Sequence, residues 1–146
     1  MPANPTFGTP VIGQTEKALN AILDRELAGT GLTEPQWVTL TLTLMSRGTL
    51  ERDQLVERVA GALKVDDTAA LAHIEDLAAA GLVDDGTPVT VTDAGAELHG
   101  RIRAIVTEIT QRLWGDLPEE DLATAGRVLG TVLARANAEL AGYPVG

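Results

Sequence analysis

The sequence contains no cysteine, and this absence excludes several kinds of site. Disulfide bonds, thiolate metal sites and thiol redox sensing all require cysteine. The two histidines, His73 and His99, have no further ligand at metal-binding spacing, so we expect no zinc site. A glycine-rich phosphate loop, a nucleophile elbow and a paired-carboxylate motif are also missing. We therefore predict no metal and no cofactor, and we assign no catalytic residue.

Long apolar stretches are missing too, because no run approaches the ~20 residues that cross a membrane. Residues 1–10 contain Pro2, Pro5, Gly8 and Pro10, which break regular structure. This segment has neither a basic start nor an apolar block, so it resembles neither a signal peptide nor a transit peptide. We expect residues 1–10 to be flexible and the protein to be cytoplasmic, without a membrane partner.

Basic residues are absent between Lys64 and Arg101, a stretch that carries eight acids. The acids are Asp66, Asp67, Glu75, Asp76, Asp84, Asp85, Asp93 and Glu97. The whole chain has 21 acids against 11 bases and a net charge of −10. A DNA-binding surface needs cations that neutralise phosphates and release counterions. This stretch therefore disfavours nucleic acid as a partner.

Hydrophobic periodicity predicts a mainly helical chain, of which 45% is apolar. Helices are expected over about 11–28, 34–46 and 52–63, then from the cap at Asp66 or Asp67 to 80, from 93 or 94 to 114, and from 118 to 141. The second helix has a capping box, with Thr33 three residues before Gln36 and Pro35 in the first turn. Asp66 or Asp67 caps the fourth helix, and Gly81 suits the position just past its end.

One segment fits two structures, because residues 38–44 alternate apolar and polar residues as a strand does. Its β-branched threonines also lower helix propensity. Trp37, Leu40 and Leu44 nevertheless share one face of a helix, and the cap at Thr33 is specific. We predict a helix over residues 34–46.

A small hairpin follows the fourth helix. Residues 82–85 and 89–92 are strand candidates, joined by Asp85-Gly86, a common hairpin turn pair. Three helices followed by a hairpin form the winged-helix plan, in which the third helix of the trio enters the major groove. Long amphipathic helices at both ends cannot bury their apolar stripes within so small a module, which favours a dimer. The predicted fold is mainly α with a small β-hairpin wing, a winged helix-turn-helix flanked by N- and C-terminal dimerisation helices.

In this order, and with these gaps, the sequence resembles the MarR-type bacterial transcriptional regulators. The matching stretches are 32–37 (Leu-Thr-Glu-Pro-Gln-Trp), 48–50 (Gly-Thr-Leu), 55–59, 71–83, 91–95 (Val-Thr-Asp-Ala-Gly) and 117–120 (Leu-Pro-Glu-Glu). The resemblance covers about residues 11–140. It implies a homodimer with a helical arm formed by residues 11–31 and 94–146, and a winged-helix head over residues 32–93. It also implies a small-molecule pocket where arm meets head, and binding of a palindromic operator.

The departures from the family concern its chemistry. The family reads DNA with polar and basic residues on its recognition helix, and the matching positions here are acidic, small or neutral. The residues that contact DNA, if any do, are Arg52, Lys64, Asp67, Thr68, Ala69 and Ala72. The wing, residues 84–88, is several residues shorter than is usual in the family and has no cation. We therefore predict weak or lost operator binding.

Two interpretations remain open. In the first, the chain is a homodimeric, small-molecule-responsive MarR-type regulator homologue with feeble operator affinity. In the second, the same fold is repurposed to bind a ligand or a protein partner without DNA, or to catalyse a reaction in the cavity between arm and head. The pocket candidates are Trp37, Leu40, His73 and His99. Each of these also suits a structural role, as does Tyr143.

Overall fold

The computed structural model describes residues 4–142 of the 146-residue chain. Its elements are α1 (Thr9–Leu27), α2 (Glu34–Ser46), α3 (Arg52–Leu63), α4 (Asp67–Ala79), β1 (Val83–Asp84), β2 (Thr90–Val91), α5 (Asp93–Trp114) and α6 (Glu119–Leu140). This order confirms the predicted mainly α fold with a hairpin wing. Helix α1 begins at Thr9, within the segment expected to be flexible. Pro10 lies in its first turn, where the missing N–H of proline costs nothing.

The ambiguous segment is helix α2, and its start is the predicted capping box. The Gln36 amide donates to the Thr33 hydroxyl at 3.4 Å, and the Thr33 amide donates to Gln36 Oε1 at 3.1 Å. The threonines fit a buried helix because their hydroxyls donate to backbone carbonyls one turn earlier. The Thr39 hydroxyl donates to Pro35 O at 2.8 Å, and the Thr43 hydroxyl donates to Thr39 O at 2.8 Å. Their polar atoms are thus satisfied inside the helix.

The hydrophobic core lies among α2, α3 and α4. Its fully buried large side chains include Leu40, Leu55, Val59, Ile74 and Leu77. They recur at helical spacing, so each helix turns one apolar face inward. Leu27 and Ile102 bring the end of α1 and the first half of α5 onto the same cluster.

The wing is shorter in strand than predicted. Val83 pairs with Val91 and Asp84 with Thr90, in antiparallel register. Five residues, 85–89, connect the two strands instead of the predicted two-residue turn, because pairing stops at Asp84 and Thr90. Val89 faces the core and is almost fully buried. The connection is therefore part of the packed head.

Gly95, in the first turn of α5, allows that helix to approach the wing closely. A β-carbon at this position would overlap the carbonyl oxygen of Leu82 and lie 2.9 Å from Val91 Cγ1. Thr92 secures the same junction, since its hydroxyl accepts from the Gly95 amide at 3.1 Å and donates to Gly81 O at 2.7 Å. This is the structural reason for the motif at residues 91–95.

The described residues form two compact units, and the boundary follows Thr107 within α5. The second unit contains the end of α5 and all of α6. No residue of α6 is buried. Its exposed large apolar side chains are Leu129, Val132, Leu133 and Leu140. The limits proposed for the arm, 11–31 and 94–146, and for the head, 32–93, remain predictions.

Candidate functional site

The surface expected to face DNA is built from the first turns of α3 and α4. The Asp66 carboxylate caps α4 by accepting from the Ala69 amide at 2.8 Å, so Asp66 is the cap and Asp67 the first helical residue. Asp67, Thr68 and Ala72 are exposed, and Ala69 is half-buried. The exposed side of the predicted recognition helix therefore presents an acid, a hydroxyl and small side chains.

Arg52, one of the predicted phosphate-contacting cations, lies against the wing. Its Nη2 is 3.2 Å from Asp85 Oδ2, and both side chains are partly buried. The other carboxylate oxygen, Asp85 Oδ1, is buried and has no hydrogen-bond partner among residues 4–142. The ion pair ties the wing to the start of α3 and neutralises the guanidinium within the protein.

Lys64, the second predicted cation, completes the end of α3. It is the C-cap, in the left-handed backbone region at φ 58°. Its Nζ donates to Gly61 O at 2.7 Å, where a cation favourably meets the helix C-terminus. Like Arg52, this side chain has a partner in its own chain.

A groove of about 410 Å³ runs between α3 and the start of α4. Its apolar lining is Val56 and Leu71. The polar lining is Arg52, Asp53, Glu57, Asp67 and Thr68. The lining residues of each helix lie about one turn apart in sequence, so they face the same side of that helix. The groove therefore combines an apolar floor with carboxylates from both walls.

A second cavity, of about 550 Å³, lies between the end of α1 and the first half of α5. Leu82, Leu98, Ile102 and Ile105 contribute its apolar lining, and Glu26, Thr30, Glu97 and Arg101 its polar lining. It is open to solvent, and its lining combines apolar side chains with a few polar groups, the combination that small-molecule sites use.

The four predicted pocket residues line neither of these cavities. Leu40 is fully buried in the core. Trp37 and His99 stack on each other, with ring centroids 4.5 Å apart and ring planes 13° apart. His73 is half-buried, and its Nδ1 has no hydrogen-bond partner among residues 4–142. No interaction links the two histidines within the described chain, and Tyr143 lies outside the described residues.

His99 joins α5 to α2 as a neutral ring. It is only 4% exposed, and its Nε2 lies 3.1 Å from the Thr41 hydroxyl. That hydroxyl donates its single proton to Trp37 O at 2.9 Å, so Nε2 is the donor to Thr41. Burial, with a smaller contribution from Arg103, lowers the pKa of His99 below its ordinary value of 6.5.

Within residues 4–142, no group of three or more His, Asp or Glu side chains is placed to hold a metal ion. The helices of that same region include none that is long and apolar enough to span a bilayer.

Several solved structures share this architecture. A MarR protein from Peptoclostridium difficile aligns with a TM-score of 0.74 over 95% of this chain and 95% of that chain, at 20% identity. The chain has the MarR fold. CouR from Rhodococcus jostii, solved with p-coumaroyl-CoA, aligns with a TM-score of 0.71 over 84% of this chain and 88% of that chain, at 17% identity. The Mycobacterium tuberculosis MarR family protein Rv2887, solved with DNA, aligns with a TM-score of 0.66 over 88% and 98%, at 23% identity.

No protein-family model and no curated protein sequence matches the chain. The MarR fold is thus recognisable in its backbone, while these identities are too low to carry over a ligand or an operator. In the element order, α4 is the third helix of the trio before the hairpin, the place predicted for the recognition helix, and residues 83–91 form the hairpin wing. Sequence reasoning missed the cavity between α1 and α5, because its lining comes from residues about seventy positions apart.

Proposed function

We propose that this chain is a homodimeric, small-molecule-responsive homologue of the MarR regulators whose operator binding is weak or lost. The observation that carries the proposal is the state of its two DNA-facing cations. Arg52 pairs with Asp85, and Lys64 caps its own helix. The guanidinium charge of Arg52 is therefore balanced within the protein, and Lys64 Nζ has one of its three donors engaged at the end of its own helix.

The charge of the surrounding head supports the same conclusion. Residues 33–92 carry four bases and ten acids, a balance of −6. Protein contacts to phosphates supply much of DNA affinity, so each cation lost from the interface removes counterion release. Asp67 lies at the exposed start of α4 and repels the phosphates that a recognition helix must approach. Base-reading contacts require that the backbone is held first.

Helix α6 supports the proposed homodimer. None of its 22 residues is buried, while Leu129, Val132, Leu133 and Leu140 recur along one helical stripe. Exposed apolar patches of this kind mark interfaces. A second copy of the same helix offers a self-complementary apolar face, which a two-fold axis pairs with the first.

The ligand site is assigned to the cavity between α1 and α5. Its four large apolar side chains suit the body of a small organic molecule, and Arg101, Glu97 and Thr30 can orient polar groups. The p-coumaroyl-CoA complex of CouR supports a small-molecule role for such a fold. A bound ligand would contact both α1 and α5, and so would influence the arm.

In the second candidate function, the same fold no longer binds DNA and instead binds a small molecule or a protein partner. The internal pairing of Arg52 favours it. The enzymatic form of this candidate has less support, because His99 is held by stacking and a hydrogen bond away from both cavities.

DNA binding tests the first half of the proposal. Fluorescence polarisation with the duplex upstream of the gene is measured at about 10 mM and about 150 mM KCl. We expect feeble binding at the lower salt and no saturable binding at the higher. The variant Glu57→Lys/Asp67→Lys, which reverses two groove charges, should gain affinity and a steeper salt slope, by ~0.9 for each new phosphate contact. Its matched control, Glu108→Lys/Asp116→Lys, changes the net charge by the same amount outside the head, and its DNA affinity should increase much less. Tight binding of the unmodified protein at the higher salt contradicts the proposal.

Thermal shift tests the ligand site. A library of small aromatic and aliphatic acids, amines and esters is screened for compounds that raise the melting temperature. Ala94→Leu places a larger side chain in the cavity and should abolish the shift, since Ala94 lines it. Ala104→Leu is the control, because Ala104 is exposed on the same helix and lines neither cavity. Equal shifts in both variants would place the ligand elsewhere.

A further inference from the structure

The groove between α3 and α4 has a lining that suits neither DNA nor a single ion. Val56 is 8% exposed and Leu71 is half-buried, so its floor is apolar. Asp53 and Glu57 on α3 and Asp67 on α4 are exposed along the walls. The carboxylates therefore come from both sides of the groove, with apolar surface between them.

The negative charge of this groove is not balanced from within. Arg52 is the one cation of its lining, and the Asp85 carboxylate neutralises it at 3.2 Å. No salt bridge within residues 4–142 engages Asp53, Glu57 or Asp67. A polyanion is repelled here, and a cationic partner is attracted.

The carboxylates are distributed over both walls of the groove, and this distribution favours one class of cationic partner over the others. Metal ions need three or more ligands that converge on one point, and no such group occurs within residues 4–142. A small polyamine would match the charges, but its thin methylene chain would cover less of the apolar floor than a large apolar side chain does. A peptide segment can place separate cationic side chains on separate carboxylates and an apolar side chain between them. The volume of about 410 Å³ holds a few side chains.

We propose that this groove is a docking site for a short basic segment of another protein, with an apolar side chain packed against Val56 and Leu71. Lysine or arginine side chains of the segment pair with Glu57, Asp67 and Asp53. The inference rests on the weak DNA binding of the proposed function, because operator DNA would occupy the same surface. It assigns the face that reads DNA in the MarR fold to a protein partner of opposite charge.

Selection from a random short-peptide display library, with the full chain as bait, tests the proposal. We expect enriched peptides that contain at least two basic residues and one large apolar residue. The affinity of these peptides for the variant Glu57→Lys/Asp67→Lys should be lower by about tenfold or more, because attractive charge pairs are lost and replaced by repulsive ones. The control Glu108→Lys/Asp116→Lys should leave binding within about twofold, the range of distant surface charges. Circular dichroism and melting temperature confirm that both variants fold.

A counterpart peptide with its apolar residue changed to alanine separates docking from simple charge attraction. We expect it to bind several-fold more weakly, by the transfer free energy of the lost side chain. Absence of any enriched peptide, enrichment without basic residues, or indifference to the groove variant would overturn the proposal. Equal competition by spermine and by the peptide would also overturn it, since only charge would then be recognised. The DNA titration is an independent experiment. Operator binding at physiological salt would contradict the proposed function, whatever the result of the peptide selection.

Discussion

The core of the head and helix α6 use apolar residues in opposite ways. In α2, α3 and α4, side chains such as Leu40, Leu55 and Ile74 are completely removed from solvent. In α6, Leu133 is 58% exposed and Leu140 is 74% exposed. Both regions show the same helical spacing of apolar residues. The apolar stripes of the head are therefore buried within the single chain, whereas the apolar stripe of α6 is exposed in the single chain.

We propose that the difference separates a part of the fold that is stable alone from a part that depends on association. Stability of the head comes from its own interior, so it should be independent of protein concentration. In this proposal the α6 stripe gains its burial free energy from a second copy of the chain. Stability of that region should then rise with concentration, as expected for linked assembly.

Truncation of a core leucine gives the largest expected contrast. Leu55→Ala should lower the free energy of unfolding by about 2–5 kcal/mol, because it removes a fully buried side chain and leaves a cavity. Leu140→Ala, in α6, should change the unfolding of a dilute sample by less than about 0.5 kcal/mol. Urea titrations followed by circular dichroism measure both. Equal losses would erase the distinction between the regions.

Substitution of glycines in α5 tests the junction between that helix and the wing. Gly95→Ala should cost about 1–3 kcal/mol, since the added methyl group overlaps the Leu82 carbonyl and the helix must move. Gly100→Ala lies on the same helix in open space, so it should be neutral or stabilise by up to ~1 kcal/mol. Thermal melts of the two variants decide the point. A tolerated Gly95→Ala would mean that the close approach is not required.

A charge placed on the α6 stripe tests its proposed role in association. Leu133→Lys should shift the protein from dimer to monomer in light scattering coupled to size exclusion, because an interface core disfavours an unpaired charge. The control is Ala134→Lys, which adds the same side chain on an exposed face of α6 away from the stripe. The proposal fails if both variants remain dimers, or if the unmodified protein is already monomeric.

The smallest expected effect is the pH dependence contributed by His99. Its pKa is lowered on folding, so the unfolded chain binds the proton more readily than the folded chain. Stability contributed by the neutral ring is present above pH 6.5 and is lost as the pH falls below that value. His99→Gln should have a flatter stability profile between neutral and mildly acidic pH. A steeper profile in the variant would reverse the assigned sign.

Local signals in the sequence were enough to predict the helices. The capping box at Thr33 and Gln36 predicted the start of α2 correctly, and Gly81 predicted the end of α4. The alternation over residues 38–44 was harder, because its resolution depends on threonine hydroxyls that bond to backbone carbonyls one turn back. That choice between helix and strand is made by burial, which a local pattern does not reveal.

The candidate sites were harder to predict, because they depend on contacts between distant residues. Charge counting predicted an acidic head, but it does not reveal that Arg52, a predicted DNA contact, pairs with Asp85 of the wing; its role toward DNA stays a prediction. Residue type suggested Trp37 and His99 for a pocket, which stays a prediction, and it did not reveal that the two rings stack on each other. The cavity between α1 and α5 requires the packing of two helices far apart in sequence, so no local motif signals it.

The central claim is that an acidic recognition helix beside a neutralised Arg52 does not capture DNA. Repeated selection from a random duplex library in about 150 mM KCl tests it without knowledge of the operator. The account predicts that no sequence is enriched above the starting pool while the protein remains folded. Enrichment of a palindromic duplex with nanomolar affinity, lost in Thr68→Ala, would contradict it.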